Sequence, residues 1–179
     1  IVVGLARRQE KVEQLRKEFK NENEKNNLHA LKCDLRKESD ILQVFEQIEK
    51  KWGPISVLIN NAGVLRNTEL LRENNTQDLR DVMETNVMGV ALCTREAFKS
   101  MKKHGIDDGH VVLINSVAGH KVLYFEGIST NIYPVSKFAV TAMAEVYRQE
   151  FLLYKTKIRV TVSMRIFVNG VLKFFLLLF

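Results

Sequence analysis

An α/β protein built on a doubly wound parallel sheet is predicted by three features of the sequence. Short apolar runs of strand length alternate with longer segments whose apolar residues recur at helical spacing. Most of those runs are apolar throughout, the pattern of parallel strands covered on both faces. Polar and charged residues collect directly after the runs, at the strand ends where open parallel sheets hold their ligands.

The elements follow in order. IVVGLA at the N-terminus is a buried-strand run, with Arg7 and Arg8 behind it. A charged segment from about Gln9 to Phe19 carries Val12, Leu15 and Phe19 at helical spacing, and RKEFKNENEK reads as a solvated helix face running into a loop. LHALKCDL, 28–35, is the second strand and ends in an acid, Asp34, followed by Leu35. Ser39 is placed to cap the next helix, with Ile41, Leu42, Val44, Phe45 and Ile48 facing inward and Gly53-Pro54 ending it. ISVLI is the third strand, and Asn60-Asn61-Ala62-Gly63 follow it. A long helical pattern runs from about Thr76 to Lys103 and closes at Gly105. HVVLINS, 110–116, is the fourth strand and ends in Ser116. A helix from Tyr133 to Tyr154 and a strand KIRVTVS, 157–163, complete a domain read as 1–163. The tail, 164–179, is atypically apolar and too short to cross a bilayer, so it packs as a strand or meets a partner.

With 179 residues the chain can bury one sizeable core, and its 46% hydrophobic and 27% charged residues are those of an ordinary globular protein. The net charge of +6 comes from lysines and arginines scattered among acids. No basic stripe is interleaved with aromatics, which argues against nucleic acid and for a positive cleft that takes a phosphorylated cofactor. Cys33 and Cys93 lie in apolar segments without a CxxC or Cys/His cluster, as the reduced core thiols of a cytoplasmic protein do. The four histidines have no ligand spacing, so no metal site is expected. The sequence shows no signal-peptide pattern and opens on Ile1 rather than Met, so a preceding start is expected.

In NIYPVSKFAV, 131–140, Tyr133 and Lys137 stand one helical turn apart on one face. Pro134 suits a first turn, where its missing N–H costs nothing. A core aromatic beside a solvated lysine is one reading of the pair. A phenol made labile by a neighbouring cation is the other, and four strand ends delivering polar groups to one edge favour it. Ser116 is then a site hydroxyl rather than only a turn cap. Asn86 lies mid-helix, where asparagine is a poor helix former, and is a site residue or a helix-bending one.

NNAG at 60–63, NVMG at 86–89, INSVAG at 114–119 and YPVSK at 133–137 occur in that order on those elements. A lone YxxxK arises readily by chance. The four together resemble the successive signatures of the classical short-chain dehydrogenase/reductases, over residues 1 to about 163. VVGLARR, LHALKCDLRKE, DLRDVMETNVMG and CTREAFKSMKK are similar in particular to its insect NADP-dependent farnesol dehydrogenase branch, relatives of the dehydrogenase/reductase member-11 branch. The resemblance implies a Rossmann-type fold and hydride transfer between a lipophilic alcohol and NADP. Tyr133 is then the general acid/base. A free tyrosine, with a pKa near ~10, is a poor base at neutral pH, and an ammonium beside it, with the positive nicotinamide, brings it toward working pH. By the same resemblance Lys137 supplies that charge and holds the nicotinamide ribose hydroxyls. Ser116 bonds the substrate oxygen, and Asn86 holds a water that links the lysine to solvent. Just past the family's second strand an acid binds a ribose 2′-hydroxyl, whereas arginine attracts a 2′-phosphate. Leu5-Ala6-Arg7-Arg8 has no acid, so Arg7, supported by Arg8, is expected to clamp that phosphate. A merely solvated arginine pair at a helix start is disfavoured by the helix dipole. Glu13 is matched to the adenosine end, Asp34 and Leu35 to the adenine, and Asn61 to a further cofactor contact.

The sequence departs from that family in three places. It has no TGxxxGxG loop, because it opens on what is the family's second strand. A missing βα unit of about 30 residues would carry the pyrophosphate cradle and the sheet's central strand. After Val162-Ser163 the family's Pro-Gly turn gives way to Met164-Arg165-Ile166, so the substrate loop and last strand are also expected to be absent. Tyr133 follows Ser116 by 17 residues, a few more than is common, which puts an insertion, LYFEGISTN, beside the substrate. The expectation is a farnesol dehydrogenase-like enzyme by family, with a steroid or carbonyl reductase, or an inactive fragment that only joins intact subunits, as alternatives. The isolated chain is expected to bind NADPH weakly and turn over little. Members of the family pair as homodimers or homotetramers through helices that correspond to about 76–103 and 133–154.

Overall fold

Val2–Ala6 (β1) and Leu28–Lys32 (β2) pair in parallel, in register from Val2↔Leu28 to Ala6↔Lys32. Gln9–Arg16 (α1) connects them and packs closely on β1, because Gly4 is bare: a Cβ there would stand 2.6 Å from Val12 Cγ1. A short helix, Glu22–Asn27 (α2), leads into β2 where the sequence reads as a loop. Glu38–Trp52 (α3) begins with Lys37 at its N-cap, so Ser39 lies inside the first turn and does not cap it. Glu38 and Asp40 place negative charge in that turn, where the helix dipole favours it. Ile41, Val44, Phe45 and Ile48 are buried as expected, whereas Leu42 is 41% exposed. It sits one residue round from Ile41, about 100° off the buried stripe. Gly53 ends α3 at φ +94°, a conformation that side chains resist. His29 stacks on Trp52, with ring centroids 4.6 Å apart, and ties β2 to the end of α3. These elements form one compact unit, Ile1–Ile55.

The second unit, Ser56–Phe179, holds Val57–Asn60 (β3), His110–Ser116 (β4) and Arg159–Val168 (β5) in a parallel sheet of order β3-β4-β5. Val171–Leu177 (β6) adds antiparallel to β5, in register from Val162↔Leu177 to Val168↔Val171. Thr76–Met83 (α4) and Gly89–Lys103 (α5) are joined by a π-helical turn, Glu84–Met88. Tyr133–Leu153 (α6) carries its proline in the first turn, as the sequence implies. β4 is the spine of this core, with Val111 and Leu113 fully buried. Val82, Ala97 and Met101 from α4 and α5, and Val140, Ala144 and Phe151 from α6, complete it.

The α/β class and the parallel pairing agree with the sequence. The computed structural model describes residues 1–19, 21–124, 126–168 and 171–177, and among these the strands make two sheets, of two and four strands. Coverage differs between the strands, complete for the inner residues of β4 and partial for β1 and β3. Val2 is 62% exposed, Val57 54% and Ile59 60%. β1 and β3 are edge strands, whose side chains find fewer neighbours than those of β4. The apolar tail is largely strand: β5 continues past Ser163 and β6 pairs with it, while 169–170 and 178–179 lie outside the described residues.

Leu113→Ala removes a buried side chain from the middle of β4 and should cost about 2–5 kcal/mol. Urea unfolding should show a lower midpoint with an unchanged slope.

Candidate active site

Ser116 closes β4 in an extended conformation and starts a 3₁₀ turn, Val117–Gly119. Its Oγ accepts from the Ala118 N–H at 3.2 Å. The same hydroxyl acts on the Tyr133 phenol and favours its ionised form. Ser116 is therefore a turn cap and a partner of Tyr133 at once. The two readings of the sequence do not compete here.

Lys137, one turn into α6, is 6% exposed. Its Nζ donates to Ile114 O at 3.0 Å and lies 5.7 Å from the centroid of the Tyr133 ring. Burial pushes the Tyr133 phenol above its ordinary pKa, and the Ser116 hydrogen bond pulls it back in part. Desolvation dominates, with the amine turned to the Ile114 carbonyl.

Close approach of α6 to the end of β4 depends on Gly119. A Cβ there would stand 2.6 Å from Lys137 O and 2.8 Å from the Asn115 side chain. Thr141 Oγ1 accepts from Asn115 Nδ2 and donates to Gly119 O, both at 2.9 Å. Asn115, 2% exposed, thus locks the turn after the strand to the helix.

Asn86 stands in the π turn, 1% exposed. Its Oδ1 accepts from the Val64 N–H at 2.8 Å, and its Nδ2 donates to Val64 O at 2.9 Å and to Ser136 Oγ at 3.0 Å. Ser136 Oγ in turn donates to Tyr133 O at 2.7 Å. A Cβ built on Gly63 would lie 3.6 Å from Asn86 Oδ1 and 3.7 Å from Lys137 Nζ, so these groups border one space above bare backbone. Asn86 is thus a backbone clamp as well as a neighbour of Lys137. Next to it, Asn60 Nδ2 donates to Thr94 Oγ1 at 3.0 Å and fixes the end of β3 to α5. Asn61 is exposed.

Ser116, Tyr133, Lys137 and Asn86 are therefore brought together in the second unit. Sequence reasoning missed Asn131, which accepts from the Tyr133 N–H at 3.1 Å and donates to Arg66 O at 2.6 Å. An asparagine two residues before a helical run is a capping signal that could have found it.

In the first unit, Arg7 and Arg8 are exposed behind β1, with Arg8 at the N-cap of α1. Glu13 is exposed and accepts from Gln9 Nε2 at 2.8 Å. Leu35 is half-buried. Asp34 is forked by Arg36, whose Nε lies 3.0 Å from Oδ1 and whose Nη2 lies 2.7 Å from Oδ2. That fork holds the Asp34 carboxyl below its usual range against partial burial, with a smaller contribution from Arg7. Cys33 is a buried thiol whose pKa is pushed up to about 11, first by desolvation and then by Asp40 and Asp34. Among the described residues no helix is long and apolar enough to cross a membrane.

A family model described as short chain dehydrogenase matches residues 1–169. The farnesol dehydrogenase of Aedes aegypti is 54% identical over 161 residues, which cover 90% of this chain and 64% of that protein. Dehydrogenase/reductase SDR family member 11 of Homo sapiens is 41% identical over 160 residues, 89% of this chain and 60% of that protein. The chain thus spans less than two thirds of the length of these relatives. Among solved structures, serine dehydrogenase from Escherichia coli is similar with a TM-score of 0.74 and 27% identity, covering 90% of this chain and 68% of that one. The closed form of serine dehydrogenase complexed with NADP+ gives a TM-score of 0.74 and 26% identity, over 91% and 60% of the two chains.

Because Arg36 lowers the folded-state pKa of Asp34, that carboxylate's contribution to stability is full above its unfolded value of ~3.9 and is lost as pH falls through the lower folded value. The gap in Tm between the wild type and Asp34→Asn should hold from neutral pH down to about 5 and close below about 4. A gap that widens on acidification would contradict this.

Proposed function

The chain belongs to the short-chain dehydrogenase family, and from that premise we propose that it is an NADP-dependent oxidoreductase interconverting a lipophilic alcohol with its aldehyde or ketone. The observation that carries the reading is the buried Lys137 amine, 5.7 Å from the Tyr133 ring and bonded to Ile114 O two residues before Ser116 at the end of β4. The residues suit a nicotinamide dinucleotide. Bare backbone at Gly63, bordered by an amine and a carboxamide, is the kind of surface a ribose and its hydroxyls can approach. Exposed guanidinium groups at Arg7 and Arg8, in a segment 5–8 without a carboxylate, suit a 2′-phosphate. In the first unit Arg7 and Arg8 would hold that phosphate, with Glu13, Asp34 and Leu35 serving the adenosine. In the second, Asn61, Tyr133 and Lys137 would hold the cofactor. When bound, NADP supplies the carbon that takes or gives the hydride.

The chain's own residues handle the proton. Tyr133 Oη accepts the proton of the alcohol oxygen in oxidation and returns it in reduction, one proton with each hydride. Ser116 Oγ holds the substrate oxygen within reach of that phenol. Desolvation keeps the phenol protonated, which suits reduction. Oxidation requires the Ser116 hydrogen bond and the Lys137 charge to oppose it. Asn86 keeps the 61–64 loop and Ser136 in place around the pair.

Farnesol is our candidate substrate, because the Aedes aegypti relative is a farnesol dehydrogenase. Val122, Leu123, Tyr124 and Ile128, exposed apolar side chains between Ser116 and Tyr133, suit an isoprenoid chain. The same reading places the protein in the cytoplasm, where buried Cys33 and Cys93 stay reduced. It has copies of the protein pairing through α4–α5 and α6, where Val135, Phe138 and Val146 are exposed.

In the intact protein, Tyr133→Phe should lower kcat for farnesol oxidation by a factor of about 10²–10⁴. NADPH affinity, read by fluorescence titration, should change far less than kcat, because Arg7, Arg8 and Lys137 still hold the cofactor. Full activity in this variant would sink the reading. Arg7→Asp should shift the ratio of kcat/KM for NADP over NAD by about tenfold or more toward NAD, by removing charge-assisted bonds to the phosphate. An unchanged ratio would remove Arg7 from the cofactor site.

A further inference from the structure

Tyr133 is the first residue of α6, so its N–H is one of the donors a helix leaves without an intrahelical acceptor. That N–H is shared between Thr130 O at 3.2 Å and Asn131 Oδ1 at 3.1 Å. Thr130 belongs to the same turn. Asn131 reaches beyond it, for its Nδ2 donates to Arg66 O at 2.6 Å across 65 positions of sequence. Arg66 follows closely on Gly63, so one carboxamide joins the loop that carries NNAG to the start of α6. Asn131 is itself confined. It is 6% exposed, and its own N–H donates to Ser129 Oγ at 3.1 Å. Its φ of +47° is a left-handed conformation that asparagine tolerates better than most residues.

The far end of this tie is also built. Arg66 Nη2 donates to Asp81 Oδ2 at 2.6 Å, and Arg66 Nε lies 3.7 Å from Asp78 Oδ1. Asp81 is buried, and its Oδ1 accepts from Gln77 Nε2 at 3.0 Å. A buried carboxylate deprived of its guanidinium is strongly destabilising, so Arg66 is not free to drift. α4 holds Arg66, the Arg66 carbonyl holds Asn131, and Asn131 holds the first amide of α6.

We infer that Asn131 is a positioning residue, bridging Arg66 O and the Tyr133 N–H so that the Tyr133 phenol stands within hydrogen-bond reach of Ser116 Oγ. Its effect on turnover rests on the proton-transfer role proposed above for Tyr133; its effect on the phenol itself does not. Ser116 is fixed from β4 and by its own bond to the Ala118 N–H. The phenol is carried by α6, and a hydrogen bond weakens steeply once its distance and angle leave a narrow range. When the first turn of α6 loosens, the Ser116 bond is the one lost. The Tyr133 ionisation then moves upward, because that bond opposes desolvation.

Asn131→Gly keeps a left-handed backbone while deleting both side-chain bonds. Asp81→Asn loosens Arg66 from the other end. In the intact protein, Tyr133 ionisation is read as phenolate absorbance in the near ultraviolet, with Tyr133→Phe as the blank. Both variants should raise the pH at which Tyr133 ionises, Asn131→Gly by about half a unit or more. Asn131→Gly should also lower kcat for alcohol oxidation about tenfold, with KM for NADP within about twofold. The double variant should show less than the sum of the two effects, since both act through the Arg66 carbonyl. An unchanged ionisation in Asn131→Gly overturns the inference, whatever happens to Tm. So does a loss of stability with an unmoved pH profile of kcat. A raised ionisation with turnover indifferent to Tyr133→Phe upholds the positioning and sinks the proposed chemistry instead.

Discussion

A lysine amine taken out of water must be given oxygen, and that requirement organises the second unit. Lys137 is 6% exposed, and the Ile114 carbonyl at the end of β4 accepts from it at 3.0 Å. An ammonium buried without acceptors would cost several kcal/mol or neutralise itself. For the bond to form, α6 must run close against the last residues of β4. Gly119 permits it, since any Cβ there would strike Lys137 O and the Asn115 carboxamide. Asn115 and Thr141 then stitch strand, turn and helix together. This packing brings the end of β4, with Ser116, up to the start of α6, with Tyr133.

The same packing explains the electrostatic character of the phenol. Tyr133 is half-buried, so desolvation resists its ionisation. A single hydroxyl, Ser116, offsets part of that. The net effect is upward, so the folded chain by itself favours the protonated phenol. Preorganisation matters here as much as proximity, because burial opposes ionisation of the phenol at all times. The π turn at Glu84–Met88 serves that end. An extra residue in the helical ladder turns Asn86 to Val64 and Ser136, and π turns recur at functional sites for this kind of reason.

What could be read from the sequence was what depends on local pattern. β4 runs from His110 to Ser116 as its apolar run implies, and α6 starts at Tyr133 with Pro134 in its first turn. The convergence of Ser116, Tyr133, Lys137 and Asn86 was legible through ordered motifs, and Asn86 also through its poor fit to a helix interior. Other features turn on competition that sequence does not display. Ser39 is a good capping residue, yet the chain enters α3 at Lys37 and spends the serine inside the turn. Leu42 fits an apolar pattern but falls beside the buried stripe. The π turn leaves no compositional mark within the apolar pattern of 76–103. The Asn131–Arg66 tie joins residues whose nearness only the folded chain reveals.

Two carboxamides, Asn86 and Asn131, take hold of the loop after β3 at Val64 and Arg66 and leave Gly63 bare between them and the strand. Their chemistry accounts for the residue type. Asn86 accepts from the N–H and donates to the C=O of the same residue, which mimics one rung of a β ladder. Asn131 accepts from a helix's first amide and donates to a carbonyl. An ionised aspartate is acceptor-only, so at either position it would set a carboxylate oxygen against a carbonyl oxygen. A serine or threonine hydroxyl has one proton and too short a reach to serve two backbone groups at once. Only an amide of this length carries donor and acceptor on one rigid plane. The loop bordering Tyr133 and Lys137 is thus held by backbone contacts from both sides, and the space above Gly63 keeps its shape without a side chain of its own filling it.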